Sequence, residues 1–462
     1  MASDAPGRPA SVTDRHGVTY LAGAPGIGDP YFADYGNSGY DVTHYRLALR
    51  YTPQSGQLDG DATLSAAATA NLYAFDLDLG PLAVRSVTVD GAAAAWVRAG
   101  ARELVVTAPR RLRDGQPFTV EVRYRGVPHG AGSPNDPEGF LRTRDGGAVV
   151  AGEPESATDW YPSNDHPRDK ATYEFAVTVP DGFAVVANGV PDGVPDRSGA
   201  ADPGWTTWRW AEHAPMATYL ATVAIGRFRL LTGTSDGIAV YTAVAASLPA
   251  DRIDPAVART PEIVRFLSTR FGPYPFEAMG AIVPDIGLAF SLETQTRPVY
   301  APGAFRADNP DDRTSVVAHE LAHQWYGDSV SVHDWRDIWL NEGFATYAQW
   351  LWDEHLGRRT VAQDFDRAYG QPASWTPPPG DPGAAHLFAP SVYQRGAMTL
   401  QALRLAVGDA TFFAILRGWA VARRYGNGST AQFVAFASRT AGRPLDTLLH
   451  TWLYADTKPP HP

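Results

Sequence analysis

Apolar positions recur along this chain with two different periods. From Tyr40 to about Thr232 they alternate. Tyr45-Arg-Leu-Ala-Leu-Arg-Tyr51, Phe118-Thr-Val-Glu-Val-Arg-Tyr124 and Tyr173-Glu-Phe-Ala-Val-Thr-Val179 set aromatic or branched residues against polar ones, as half-buried strands require. Turn pairs separate such runs: Asp59-Gly60, Asp90-Gly91, Asp114-Gly115 and Asp181-Gly182. This half reads as antiparallel sheet. Residues 1 to about 40 are rich in Gly, Pro, Asp and Ala and predict an irregular surface course. Pro191 to Gly204 predicts a loop.

After Asp236-Gly237 the period becomes helical. Pro255 to Phe271 predicts a helix stopped by Gly272-Pro273. Gly280-Ala-Ile-Val-Pro284 and Phe290 to Tyr300 predict strands. Asp311-Asp312 can cap a helix running to Tyr326, with Gly327 as its stop. Asp337 to Leu356 predicts a second helix, and Thr360–Tyr369, Ser391–Val407, Ala410–Tyr425, Thr430–Thr440 and Leu445–Tyr454 predict further ones. Gly370 to Gly383, with Pro377-Pro-Pro-Gly380, predicts irregular chain. The expectation is a multi-domain α and β protein. Residues 1–235 form an antiparallel β domain, and residues 236–462 form a mainly helical domain.

Composition narrows the partners. The chain has 462 residues, 44% hydrophobic and 19% charged, with a net charge of −11. Its only lysines are Lys170 and Lys458. That balance argues against nucleic acid or an anionic membrane as partner. Cysteine is absent, so no disulfide can form and the fold relies on its core and on metal. No apolar run reaches the roughly 18 residues of a membrane span. The N-terminus lacks the basic start and apolar stretch of a signal peptide. Its small, polar, proline-bearing character, followed by Gly36-Asn-Ser-Gly39, looks like the start of a mature secreted protein. The reading is a secreted chain whose leader has been removed, with a cytoplasmic one as the alternative. A monomer is expected.

The chemistry lies in the helical half. His319-Glu-Leu-Ala-His323 is followed, after an 18-residue gap, by Glu342 in Trp339-Leu-Asn-Glu342-Gly. About 3.6 residues make a helical turn, so His319 and His323 share one face and can reach one metal ion. Glu320 projects beside that metal, where it can take a proton from bound water. Glu342 supplies a third ligand. Three protein ligands leave the fourth position of tetrahedral zinc open, which is the catalytic arrangement. The donor set favours zinc over cobalt or manganese.

Three further segments accompany this pattern: Trp335-Arg-Asp-Ile-Trp-Leu-Asn-Glu342-Gly-Phe-Ala, Leu292-Glu293-Thr294 at 26 residues before His319, and Val392-Tyr393-Gln-Arg-Gly396-Ala-Met. Together they resemble the zinc aminopeptidases of the aminopeptidase N and leukotriene hydrolase family over residues 40 to 455. The resemblance implies a saddle-like β domain followed by a thermolysin-like catalytic domain, with one Zn2+. It implies that His319, His323 and Glu342 bind the zinc, that Glu320 is the general base, and that the Tyr393 hydroxyl stabilises the oxyanion. Glu293 would hold the free α-amine of a peptide, with Phe290 departing from the family glycine. The edge strand beside it would offer backbone groups to an extended peptide. Glu155, in Gly152-Glu-Pro-Glu155, resembles the β-domain residue sent to the same amine, and Glu153 is the alternative in register. Asp337 and Asn341 would flank Glu342 as supporting partners. His333, His355 and His386 fit no ligand position. The chain reads as a short form lacking the C-terminal helical domain of larger members, with a more open cleft.

The function these readings imply is removal of the N-terminal residue from peptides with a free N-terminus. A thermolysin-like endopeptidase is the alternative with the same chemistry. A catalytically inactive peptide-binding module is the alternative of another class.

Overall fold

The computed structural model describes residues 10–130, 132–133, 136–197 and 203–462. It divides into two compact units. One comprises Met1–Leu230, Ala243–Ser247 and Ile282–Ala301, and the other Leu231–Thr242, Leu248–Ala281 and Pro302–Pro462. The units interleave along the chain rather than meeting at one point near residue 235. The segment that carries Glu293 groups with the β-rich unit.

That unit is built on an eight-stranded sheet. Its strands are β1 (Tyr40–Thr52), β2 (Gln57–Ala68), β3 (Ala83–Val89), β4 (Ala92–Ala93), β5 (Pro117–Gly126), β6 (Lys170–Pro180), β7 (Val190–Pro191) and β8 (Trp205–Ala217), in the order β7-β8-β6-β1-β2-β5-β3-β4. The alternating runs lie where their period places them. On β1, Tyr45, Leu47, Leu49 and Tyr51 are buried while Arg46 points out. Neighbours are antiparallel except β1 and β6, which run parallel and stack Tyr45 on Tyr173 with ring centroids 4.8 Å apart. Alternation fixes which face of a strand is buried but not which strand it pairs with, so this departure was not legible. Gly60 faces Tyr124 across β2 and β5. A Cβ at residue 60 would meet that ring at 2.1 Å, so only glycine fits under it.

Residues before 40 are less irregular than their composition predicts. Ser11–Thr13 and Thr19–Leu21 join Leu72–Asp78, Glu103–Leu112 and Ala95–Ala99 in a five-stranded sheet. Partners elsewhere in the unit, such as the core around Tyr20 and Tyr73, supply what local propensity lacks. Of the expected loop at Pro191 to Gly204, its first residue pairs in β7, and residues 198–202 lie outside the described part.

The five-stranded sheet contains an unusual acid. Glu103 pairs with Asp78 across the sheet, is 8% exposed, and neither carboxylate oxygen has a hydrogen-bond partner among the described residues. Burial, helped by the charges of Asp78 and Asp76, pushes its pKa up to about 9. Between the ordinary carboxylate range and that value the folded chain keeps a proton that the unfolded chain has lost. Stability therefore falls as pH rises through this window. Glu103→Gln removes the penalty. Relative to wild type it should gain thermal stability between pH 5 and pH 8, by at most about 1.4 kcal/mol per pH unit. Parallel unfolding of both proteins at the two pH values decides this, and an unchanged difference refutes it.

The second unit is mainly helical: α1 (Ala250–Val257), α2 (Thr260–Phe271), α3 (Arg313–His323), α4 (Trp339–His355), α5 (Val361–Gly370), α6 (Pro390–Val407), α7 (Asp409–Ala422), α8 (Thr430–Ala441) and α9 (Asp446–Tyr454). The single helix expected at Pro255 to Phe271 is two. Pro261 lacks an N–H and its ring clashes with a preceding carbonyl, so the chain must restart, and Pro261 sits in the first turn of α2. The caps of α5 and α8 are full capping boxes, Thr360 with Gln363 and Ser429 with Gln432. Gly370 to Gly383 is irregular apart from one short turn at Pro372–Ser374.

The strand expected at Phe290 to Tyr300 is absent. Leu292 pairs with Val299, Val299 also bridges Ile282 in parallel, and the chain between Leu292 and Val299 turns back on itself. β-rich composition suited a strand, but Thr296 at φ +68° breaks it.

Candidate metal centre

The centre grows from two helices. On α3, His319 and His323 are one turn apart, and their rings meet edge to face at 4.8 Å. Glu342, in the first turn of α4, lies opposite. Its Oε2 is 3.1 Å from His319 Nε2 and 3.5 Å from His323 Nε2. One ligand atom from each of the three residues lies within 4.8 Å of the others, and His323 and Glu342 are almost wholly buried.

The other ring nitrogens decide the tautomers. His323 Nδ1 is 3.0 Å from the carbonyl of Tyr326, which can only accept, so Nδ1 carries the proton. His319 Nδ1 is 3.0 Å from Gln349 Oε1. The orientation of that amide is fixed because Gln349 Nε2 donates to the Ser315 carbonyl at 3.3 Å. His319 Nδ1 is therefore a donor as well. Both Nε2 lone pairs then face a carboxylate. Lone pairs against an anion repel, and a cation between them removes the conflict. The donor set fits a zinc ion, whose ligands are deprotonated carboxylate and neutral imidazole. Burial alone would raise Glu342, but in their protonated form, with Nε2 donating, His323 and His319 outweigh it and hold its carboxyl down at about 2.

The local folding follows from this arrangement. α3 was expected to run to Tyr326, but it ends at His323. The chain unwinds there, Asp328 N donates to the His323 carbonyl at 2.9 Å, and Tyr326 turns its own carbonyl toward the ring. Glu320 is 5% exposed, and one of its carboxylate oxygens lies within 4.8 Å of a His323 ring nitrogen. Tyr393, in the first turn of α6, is half-buried with its ring 6.0 Å from that of His319 and nearly parallel to it. α4 and α6 cross glycine on glycine. A Cβ on Gly396 would meet the Gly343 Cα at 2.8 Å, and one on Gly343 would meet the Gly396 backbone at 2.9 Å. The two glycines let the helix bearing Tyr393 lie against the helix bearing Glu342.

Other sequence-predicted residues stand elsewhere. Asp337 accepts from Thr430 N at 2.9 Å and from Thr430 Oγ1 at 2.6 Å, so it serves the start of α8 rather than Glu342. The Asn341 amide is buried, with no hydrogen-bond partner among the described residues. His355 stacks on Phe266 at 4.4 Å, outside the centre. Gln349 was missed. Its spacing was the available signal, since it lies two helical turns beyond Glu342 on the same face of α4.

In the β-rich unit Glu293 is 2% exposed and accepts from the Tyr219 hydroxyl at 3.2 Å. Glu155 is engaged otherwise. Its Oε2 pairs with Arg102 at 2.5 Å, and its Oε1 accepts from the Tyr35 hydroxyl at 2.9 Å. Glu153 is buried, 7% exposed.

Two family descriptions match this chain: the peptidase M1 N-terminal domain over residues 42–220 and the peptidase family M1 domain over residues 285–452. A crystal structure of an M1 zinc metallopeptidase from Deinococcus radiodurans shares 32% identity, covering 94% of this chain and 98% of its own, with a TM-score of 0.84. The chain belongs to peptidase family M1. Among curated M1 relatives, aminopeptidase M1-A of Oryza sativa subsp. japonica is 28% identical over 66% of this chain and 36% of its own length. Aminopeptidase N of Rattus norvegicus is 29% identical over 54% of this chain and 27% of its own length. This M1 chain thus spans about a third of the length of the curated relatives it matches. Its β-rich unit followed by a helical unit is the M1 arrangement expected from the motifs. None of its helices, among the described residues, is long and apolar enough to cross a membrane.

Proposed function

We propose that this chain is a zinc-dependent aminopeptidase that releases the N-terminal residue of peptides. The observation that carries the reading is the convergence of His319, His323 and Glu342, with both histidine Nδ1 protons fixed away from the shared point. These three residues would hold one zinc ion. When bound, zinc polarises the scissile carbonyl and lowers the pKa of a water toward neutrality. Glu320 takes the proton from the attacking water and returns it to the leaving amine. The Tyr393 hydroxyl donates to the developing oxyanion, a task suited to a neutral, preorganised donor. Glu293 accepts the α-ammonium of the substrate in a charge-assisted hydrogen bond. Because Glu155 is committed to Arg102 and Tyr35, the second acidic contact to the amine falls to Glu153. An M1 zinc metallopeptidase from Deinococcus radiodurans, as a mutant, has been crystallised bound to a Tyr-Ser-Ala substrate, which supports peptides as the substrate class.

Matched aminoacyl and N-acetyl-aminoacyl chromogenic substrates test this. The free-amine substrate should be cleaved, a chelator should stop it, and added zinc should restore it. Cleavage of the acetylated substrate at a similar rate would overturn the aminopeptidase reading. No cleavage of either by zinc-loaded protein would favour a binding module.

A further inference from the structure

The turn that carries Glu293 is held by groups that no motif accounts for. Asn188 is fully buried beneath it. Its Nδ2 donates to two carbonyls, Leu220 at 2.9 Å and Gln295 at 2.8 Å, and its Oδ1 accepts from Thr222 N at 2.7 Å. One amide thus ties the chain next to Tyr219 to the chain two residues beyond Glu293. Tyr219 and Glu293 are the two ends of a hydrogen bond. On the far side of the turn, Gly189 N donates to Thr296 Oγ1 at 2.8 Å. Arg297, fully buried, donates to the Ala187 carbonyl and, at 2.6 Å, to that of Gly189, with its guanidinium 4.8 Å over the Trp210 ring. Within the turn, Thr294 Oγ1 donates to the Arg297 carbonyl at 2.7 Å.

Thr296 sits at φ +68°, a left-handed conformation that costs a β-branched residue energy and persists only where its surroundings impose it. Here Asn188, Gly189 and Arg297 impose it. A buried arginine spent on backbone carbonyls, and a strained threonine, are a large outlay for a plain surface turn. They are explained if the direction of the Glu293 carboxylate matters.

We infer that Asn188 is a positioning residue, clamping the Tyr219–Glu293 pair so that the carboxylate is preset for the substrate ammonium. This rests on the aminopeptidase reading above and adds to it the element that aims the carboxylate. Preorganisation of this kind lowers the cost of binding and appears mainly in KM.

The test is a double-mutant cycle with Asn188→Ala and Glu293→Ala, assayed on an aminoacyl substrate with zinc-loaded protein. Glu293→Ala should raise KM about 10- to 100-fold, the worth of a hydrogen bond to a charged group. Asn188→Ala should raise KM by a smaller factor with little change in kcat, and should add almost nothing in the Glu293→Ala background. Asn188→Ser, which retains a buried hydrogen-bonding group, should recover part of the loss. Equal losses from Asn188→Ala in both backgrounds, or a loss in kcat alone, would overturn the inference as a merely structural effect. Circular dichroism and bound zinc are measured alongside, in case Asn188→Ala does not fold. In that case Tyr219→Phe replaces it in the cycle, and additivity with Glu293→Ala counts against the clamp. If Glu293→Ala itself leaves KM unchanged, the amine reading fails first, separately from the role of Asn188.

Discussion

Glu320→Gln lowers kcat by about 100- to 10,000-fold, the range that a positioned general base contributes, and leaves zinc binding intact. The amide keeps the size and much of the polarity of the carboxylate but cannot accept a proton from water. None of the three converging ligand atoms of His319, His323 and Glu342 belongs to Glu320, so the metal should stay. The measurement is kcat beside zinc content by elemental analysis on the same preparation. Loss of zinc together with activity would make Glu320 a ligand rather than a base. Activity above a tenth of wild type would remove it from proton transfer.

Gly396→Ala damages the centre from a distance. In a helix interior alanine is favoured over glycine by about 1 kcal/mol, so propensity alone predicts a small gain. Packing predicts the reverse. The added methyl would stand 2.8 Å from the Gly343 Cα and 3.4 Å from the Gly343 N, and neither backbone atom can swing aside as a side chain tip can. Forcing extra volume into such a contact costs about 1–3 kcal/mol, so the clash wins. The structure relieves it by parting α4 from α6, which carries Glu342 away from Tyr393. The expected result is a lower unfolding temperature together with lower kcat and weaker zinc affinity. Unchanged stability would mean that the crossing tolerates a methyl, and the two glycines would then need another explanation.

The two glycines show how much of this site could be read in advance. His319, His323 and Glu342 were legible because ligand chemistry demands fixed residue types at helical spacing. That Gly343 and Gly396 belong together was not, since each stands in its own segment and only the folded helices bring them into contact. Gln349 was hidden because a glutamine on a helix is ordinarily solvent-facing, and its role depends on Ser315 holding its amide. The helices from α3 onward lay close to their expected bounds, where apolar period, caps and stop residues agreed. The failures came where tertiary partners overrule local preference. Pro261 split one helix into two, Tyr326 left α3 to face His323, and the Phe290 to Tyr300 segment became a turn clamped by Asn188 and Arg297. Spacing also could not reveal that Glu155 pairs with Arg102 and accepts from Tyr35.

The interleaving of the two units governs how the protein can be made. Residues 243–247 and 282–301 belong with the β-rich unit although they follow its other strands in sequence. During synthesis that unit cannot be complete until residue 301 has left the ribosome, by which time part of the helical unit has emerged too. N-terminal domains usually fold first, as finished units. Here the first 235 residues released alone should remain short of a native state, with the turn around Glu293 missing and Asn188 lacking its Gln295 partner. A protease that cuts between residues 231 and 242 would likewise leave a nicked but associated protein rather than two free domains.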